Sequence, residues 1–315
     1  MRFDDDSGAH VGEYTLAQGQ SLEWVLTWHP SYRDINPWPD YSFALQHTQN
    51  FWENWAADCD FSGEYEEEVI RSLLVLRALT DSLTGGIVAA PTTSLPEEFG
   101  GSRNWDYRYV WLRDSALTIE ALVESGFSDR ADEWRNWLLR AIAGDSSELR
   151  IMYGIRGERH LPEFELEHLP GYENSGPVRI GNGASEQYQA DVVGEVMIAL
   201  ETLREAGVHE DEFSWDMQKS ILEFQEAQFH VPDHGIWEMR SEPQHFTHGR
   251  AMMWAAFDRG VKAVEQQGFD GPVDRWRELR ATLRDEIMSQ GWNDELQSFT
   301  QTYGGEDVDA SLLQL

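Results

Sequence analysis

The residue types able to do chemistry concentrate in GGSRNWDYRYVWLRD (100–114). This run gathers Trp105, Tyr107, Tyr109 and Trp111 with Arg103, Arg108, Arg113, Asp106 and Asp114. Such a run suits a sugar cleft, where flat rings stack on pyranose faces while carboxylate and guanidinium groups hydrogen-bond the hydroxyls at the ring edge. It suits equally a buried arginine–aspartate network at a helix start, with the rings as ordinary core. A second loop, HVPDHGIWEMRSEPQ (230–244), sets Glu238 directly after Trp237. An aromatic wall raises a carboxyl pKa and keeps the group protonated as a general acid, but a lone Trp–Glu pair reads more simply as an exposed loop glutamate. A third, PVRIGNGASEQYQADVVGEV (177–196), puts Gly181 and Gly183 ahead of a helix expected from about Ala184, with Glu186, Gln187, Gln189, Asp191 and Glu195 on its early turns. Gln187 and Asp191, four apart, would then share a face, which fits ligand contacts and a solvated helix face alike. GNG is not a phosphate loop, because no strand is expected before it and no lysine follows. There is no HExxH, and His245 and His248 stand three apart without a carboxylate pattern. No serine sits in a nucleophile elbow, and Cys59 lies in an acidic stretch that disfavours a thiolate. We expect no metal and no cofactor.

Helices must position these loops. From Tyr41 onward the apolar spacing is helical: Glu64–Leu83 has an acidic start and an apolar stripe through Val69, Leu73 and Leu76. Further helices are expected over about 114–125, 128–143, 184–206, 210–229, 245–267 and 272–289. Long Gly/Pro-rich loops at 84–113, 144–183 and 230–244 separate them, and loops of that length on a helical scaffold usually carry function. Serial helix pairs joined this way suggest a helical toroid. Upstream, residues 8–30 read as strands, with Leu22, Trp24, Leu26 and Trp28 alternating with polar or smaller neighbours. We expect 1–34 to be the end of a β domain, 35–45 a linker, and 46–315 the helical domain.

Composition limits the partners. Against 24 basic residues stand 57 acidic ones, for a formal charge of −33, which excludes the basic face that nucleic acid or an anionic membrane requires. Lys219 and Lys262 are the only lysines, and an acidic, lysine-poor chain suits multimolar salt, where self-repulsion is screened. A halophile is therefore expected. A single cysteine excludes an internal disulfide, and MRFDDDSG has no signal-peptide pattern, so the expected location is cytoplasmic.

Five ordered blocks carry a resemblance. They are TGGIVAAPTTSLPEEFGGSRNWDYRYVWLRDSAL (84–117), PGYENSGPVRIGNGASEQYQADVVGEV (170–196), GIWEMR (235–240), HFTHGRAMMWAAFDR (245–259) and SFTQTYGGEDVDASLL (298–313). Together they resemble the catalytic domain of glycoside hydrolase family 15, the glucoamylase, glucodextranase and trehalase family. The resemblance implies an all-α (α/α)6 barrel with the active site at its loop end, and upstream a β-sandwich domain of which 1–34 would be the tail. It implies Glu238 as general acid, Arg113 and Asp114 gripping the non-reducing glucose, Tyr107 and Trp111 lining that subsite, and Trp237 packing beside the acid. The implied partner is an oligosaccharide or disaccharide. Val110 stands where many prokaryotic relatives have cysteine, and Gly249-Arg250 replaces a common Ser-Lys.

The family inverts the anomeric carbon, which needs a second carboxylate roughly 6.5–9.5 Å from the acid. No residue here matches the motif of that base, and the chain stops at DASLLQL, so an internal fragment without turnover of its own is expected. Glucan ends are ranked ahead of trehalose as substrate, with a non-catalytic carbohydrate-binding or regulatory module as the reading from another class. The charge pattern makes its own prediction. Circular dichroism should show helix content lost on dialysis from multimolar to about 0.1 M salt, and a helical signal that survives dialysis refutes a salt-adapted surface.

Overall fold

A helix that is apolar or small on every side needs neighbours all round, whereas an amphipathic helix needs them on one side only. That difference sorts the helices here. The computed structural model describes residues 2–4, 9–34, 40–142 and 149–315, and the chain divides into two units, Met1–Ala57 and Asp58–Leu315.

In the first unit, β1 (Arg2–Asp4) pairs antiparallel with β2 (Ala9–Val11) in the register Arg2↔Val11, and α1 is Tyr41–Ala57. The alternating stretch 22–28 is not the expected strand. It has no ladder partner among the described residues, and Leu22, Trp24, Leu26 and Trp28 are all exposed. Alternation assigns side chains to faces, but a strand forms only where another backbone takes up its N–H and C=O groups. The expected linker at 35–45 lies partly outside the described residues, and the division falls after α1.

The second unit runs through α2 (Glu66–Leu79), α3 (Leu112–Glu124), α4 (Ser128–Ile142), α5 (Val192–Glu205), α6 (Glu212–Ala227), α7 (Thr247–Gln267) and α8 (Val273–Glu286). Helices α3, α5 and α7 pack side by side in turn, with α4, α6 and α8 against them. Helix α5 is buried at nearly every position from Val192 to Leu203, and α7 is almost as covered from Thr247 to Ala263. Helices α6 and α8 bury a single face each, through Trp215, Ile221 and Leu222 and through Trp276, Leu279 and Leu283. Inner helices thus alternate with outer ones along the chain, giving an all-α architecture of the (α/α)6-barrel type. Trp134, Trp137, Met197, Met253 and Phe257 belong to its continuous core.

Two helices are shorter than their apolar spacing suggests. Helix α2 stops at Leu79, because the Asp81 carboxylate accepts the Thr84 N–H (2.9 Å) and hydroxyl (2.8 Å), and Thr80 turns extended to bridge Ile87. Helix α5 starts at Val192, not near Ala184, for reasons that belong to the site. Two-residue antiparallel pairs tie the loops: β3 (Val110–Trp111) with β4 (Met152–Tyr153), β5 (Phe164–Glu165) with β6 (Arg179–Ile180), and β7 (Trp292–Asn293) with β8 (Ser298–Phe299). Strand β6 does precede Gly181, contrary to the sequence reading. Among the described residues no helix is long and apolar enough to cross a membrane.

Helix α5 meets the backbone of α7 at Gly194, where an added Cβ would lie 2.2 Å from the Met252 carbonyl oxygen. Backbone cannot step aside as a side-chain tip can. Gly194→Ala should therefore lower the unfolding free energy by about 1–3 kcal/mol. Urea titration followed by circular dichroism checks this, and an unchanged midpoint would mean that the two helices move apart freely.

Candidate active site

The loops entering α3, α5 and α7 build the site. Strand β3 pairs with β4, and the Leu112 N–H donates to the Ile151 carbonyl (3.0 Å), so the chain passes from strand to helix at a fixed point. Arg113 and Asp114 thereby fall in the first turn of α3. Asp106, fully buried, accepts from Arg108 Nε (2.8 Å) and Nη2 (2.7 Å) and from the Gly181 N–H (3.1 Å). It ties the aromatic run to the loop before α5.

That second loop is held by the third. Asp233 accepts the Ala190 N–H (2.9 Å), the Gln225 amide donates to the Ala190 carbonyl (3.0 Å), and the His234 N–H donates to the Tyr188 carbonyl (3.1 Å). These bonds take the backbone groups a helix through 187–191 would use internally. Residues Gly183–Glu186 form only a 3-10 turn, with the Asn182 side chain accepting the Ala184 N–H (2.9 Å). Gln187 and Asp191 accordingly do not share a helical face. Burial pushes the Asp233 carboxyl up to about 7, although the Ala190 N–H works to lower it.

Glu238 ends a tight turn in which its N–H donates to the Gly235 carbonyl (3.1 Å) and the Met239 N–H to the His234 carbonyl (3.0 Å). Its φ is 55, in the left-handed region, which costs an L side chain about 1–2 kcal/mol. The turn delivers the carboxyl to the first loop: the Trp111 indole N–H donates to Glu238 Oε1 (2.5 Å), and Arg113 Nη2 stands 3.6 Å from the same oxygen. Arg113 also reaches Gln189 Oε1 (2.9 Å), Asp191 Oδ2 (3.5 Å) and Asp114 Oδ2 (3.4 Å). Tyr107, Trp111, Arg113, Asp114, Trp237 and Glu238 all line one cavity of about 1080 Å³. Tyr107 and Trp111 make a continuous wall, their ring centroids 5.9 Å apart.

Burial raises the Glu238 pKa. Arg113 and the Trp111 N–H oppose that rise without cancelling it, so the acid keeps its proton to a higher pH than a free glutamate. For Arg113, burial works to lower the pKa, but Asp191, Asp114 and Glu238 outweigh it and hold the guanidinium charged. Burial, with Asp191 and Glu120 nearby, pushes Glu195 up to about 8.

Trp237 is placed differently from the shielding role expected of it. It is 48% exposed, and its indole donates to Asp309 Oδ2 (2.8 Å). The indole that donates to the carboxyl is Trp111's, although Trp237 lines the same cavity. Gln189 as an Arg113 partner, and Glu163, which pairs with Arg240 (2.8 Å), were not singled out by sequence. Glu163 has no signal beyond being a polar residue in a loop, whereas Gln189 stands among the polar residues that follow GNG.

Fold and cavity together define an all-α architecture of the (α/α)6-barrel type with a cleft lined by aromatic and charged side chains where its inner helices begin. Residues 63–315 match the model of glycosyl hydrolases family 15, and the chain belongs to that family. A trehalase of Thermoplasma acidophilum is 36% identical over 97% of this chain and 52% of its own length. A trehalase of Mycolicibacterium smegmatis is 38% identical over 95% of this chain and 45% of its own. The chain thus spans about half the length of these relatives. Among solved structures, a bacterial glucoamylase complexed with acarbose shares the fold, with a TM-score of 0.58 and 14% identity over 86% of this chain and 37% of that one.

The Trp111 contact makes a signed prediction. Donation to Glu238 favours the charged carboxylate, so Trp111→Phe should move the Glu238 titration to higher pH. Carbon-13 NMR of the labelled carboxyl reads this directly, and a downward shift would show that hydration of the emptied space outweighs the lost bond.

Proposed function

We propose that the protein is an inverting glycosidase of trehalase type, with Glu238 as general acid. The observation that carries this reading is the meeting of Glu238 with Trp111 and Arg113, which joins positions 127 apart in the sequence at one cavity wall. Arg113 and Asp114 hold hydroxyls of the first glucose by charge-assisted hydrogen bonds, and the rings of Tyr107 and Trp111 line its subsite. As the C1–O bond breaks, its electron pair leaves with the glycosidic oxygen, which takes the Glu238 proton. Water adds to C1 from the opposite face and gives its proton to a carboxylate base, standing roughly 6.5–9.5 Å from the acid in inverting enzymes. We assign no residue of this chain as that base.

The choice of substrate follows relatives, not geometry. Sequence reading ranked glucan ends ahead of trehalose, and relatives 36% and 38% identical that are named trehalase reverse that order. The raised pKa of Glu238 supports proton donation to a higher pH than a free glutamate allows, with activity falling as pH rises through that pKa. A non-catalytic module would have no need to keep Glu238, Arg113 and Asp114 together.

Glucose release by the full-length protein should be faster from trehalose than from maltotriose. Glu238→Gln should lower kcat by about 10²- to 10⁴-fold with little change in KM. Full activity in that variant removes the acid assignment, and faster release from maltotriose restores the glucan reading.

A further inference from the structure

The turn that presents Glu238 is strained at its last residue. Asp233 and Gln244 close the loop around it by paired backbone bonds of 2.8 Å, and further ties come from other loops. Gln187 Nε2 reaches the carbonyls of Glu238 (3.4 Å) and Met239 (3.3 Å). Two residues past the acid, the Arg240 guanidinium makes a two-pronged pair with Glu163, Nη1 to Oε1 at 3.2 Å and Nη2 to Oε2 at 2.8 Å. The same guanidinium lies 4.2 Å from the centroid of the Trp105 ring. Arg179 lies 4.7 Å from that ring and 3.6 Å from Glu163. Glu163 also accepts the Gly183 N–H (3.0 Å), and Trp105 donates to Glu97 (3.1 Å). Burial alone would raise the Glu163 carboxyl, but Arg240 and the Gly183 N–H hold it below the usual carboxylate range.

Arg240, Glu163 and Trp105 come from separate loops and meet at the segment carrying the acid. Arginine is the residue suited to this place, because one planar group fits a carboxylate fork and an aromatic face at once, which an ammonium cannot do. We propose that Arg240 is a positioning residue, latched by Glu163 and Trp105, that keeps the Glu238 turn closed against Trp111 and Arg113. It acts through Glu238 and needs no contact with the reacting atoms. The proposal rests on the reading of Glu238 as general acid, and the test separates the two.

Arg240→Lys keeps the charge and removes both the fork and the stacking, and Glu163→Gln is its isosteric counterpart. With the latch open, water reaches the Glu238 carboxyl, so its carbon-13 titration should move to lower pH in Arg240→Lys. For trehalose, kcat should fall about 10- to 100-fold with KM near its wild-type value, the signature of a misplaced catalytic group. Glu163→Gln should act in the same direction, and the double variant should be no worse than the worse single one. A role in stability alone would lower the melting temperature and leave the Glu238 titration in place, which overturns the proposal. Losses that multiply in the double variant, or a change confined to KM, overturn it as well. A shifted Glu238 titration in a protein that releases no glucose from trehalose supports the latch and sinks the trehalase reading.

Discussion

Arg113 spreads one guanidinium over Gln189, Asp191, Asp114 and Glu238, and very little of it faces water. A cation so placed is tolerable only with partners on every side, since an unpaired buried charge costs several kcal/mol. Those partners arrive from different places: Asp114 from the first turn of α3, Gln189 and Asp191 from the segment entering α5, and Glu238 from the turn entering α7. The need to neutralise one arginine therefore brings together the loops that form the cavity. The same charge sits beside the carboxyl proposed as general acid, so on that reading structural and chemical demands fall on one group.

The scaffold answers that demand by fixing where each loop enters its helix. Helices α3, α5 and α7 are inner helices, buried on most faces, with Gly194 allowing α5 to approach the backbone of α7. Residues in their first turns, or just ahead of them, are thereby tied to the packed core more directly than ordinary loop residues. Asp233 serves a similar end between loops, tying Ala190 to the chain ahead of α7. The residual strain lies at Glu238 itself, with its positive φ, where external ties compensate for what the local backbone disfavours.

Much of the helical plan is legible in the sequence, and the failures have a common cause. The apolar stripe of α8 and the acidic start of α2 depend on residues three or four apart, which are neighbours in any helix whatever surrounds it. By the same local logic 22–28 looked like a strand and 184–191 like helix. Both readings fail because backbone hydrogen bonds are decided by what lies across from a segment. No other backbone pairs with 22–28 among the described residues, while Gln225, Asp233 and His234 occupy the backbone of 188–190.

For the site, the sequence alone marked out the loops rich in charges and rings, the run ending at Arg113-Asp114 and the Trp237-Glu238 turn, although by residue type each fitted a structural reading as well. Tertiary structure decided how they are paired. It set Trp111, not Trp237, against the acid, brought Gln189 to Arg113, and drew Glu163 and Trp105 to Arg240. The physical reason is range. Residue type and spacing act along the chain over a few positions, whereas each of these contacts joins residues at least 76 positions apart, and only the packing of the helices sets such distances.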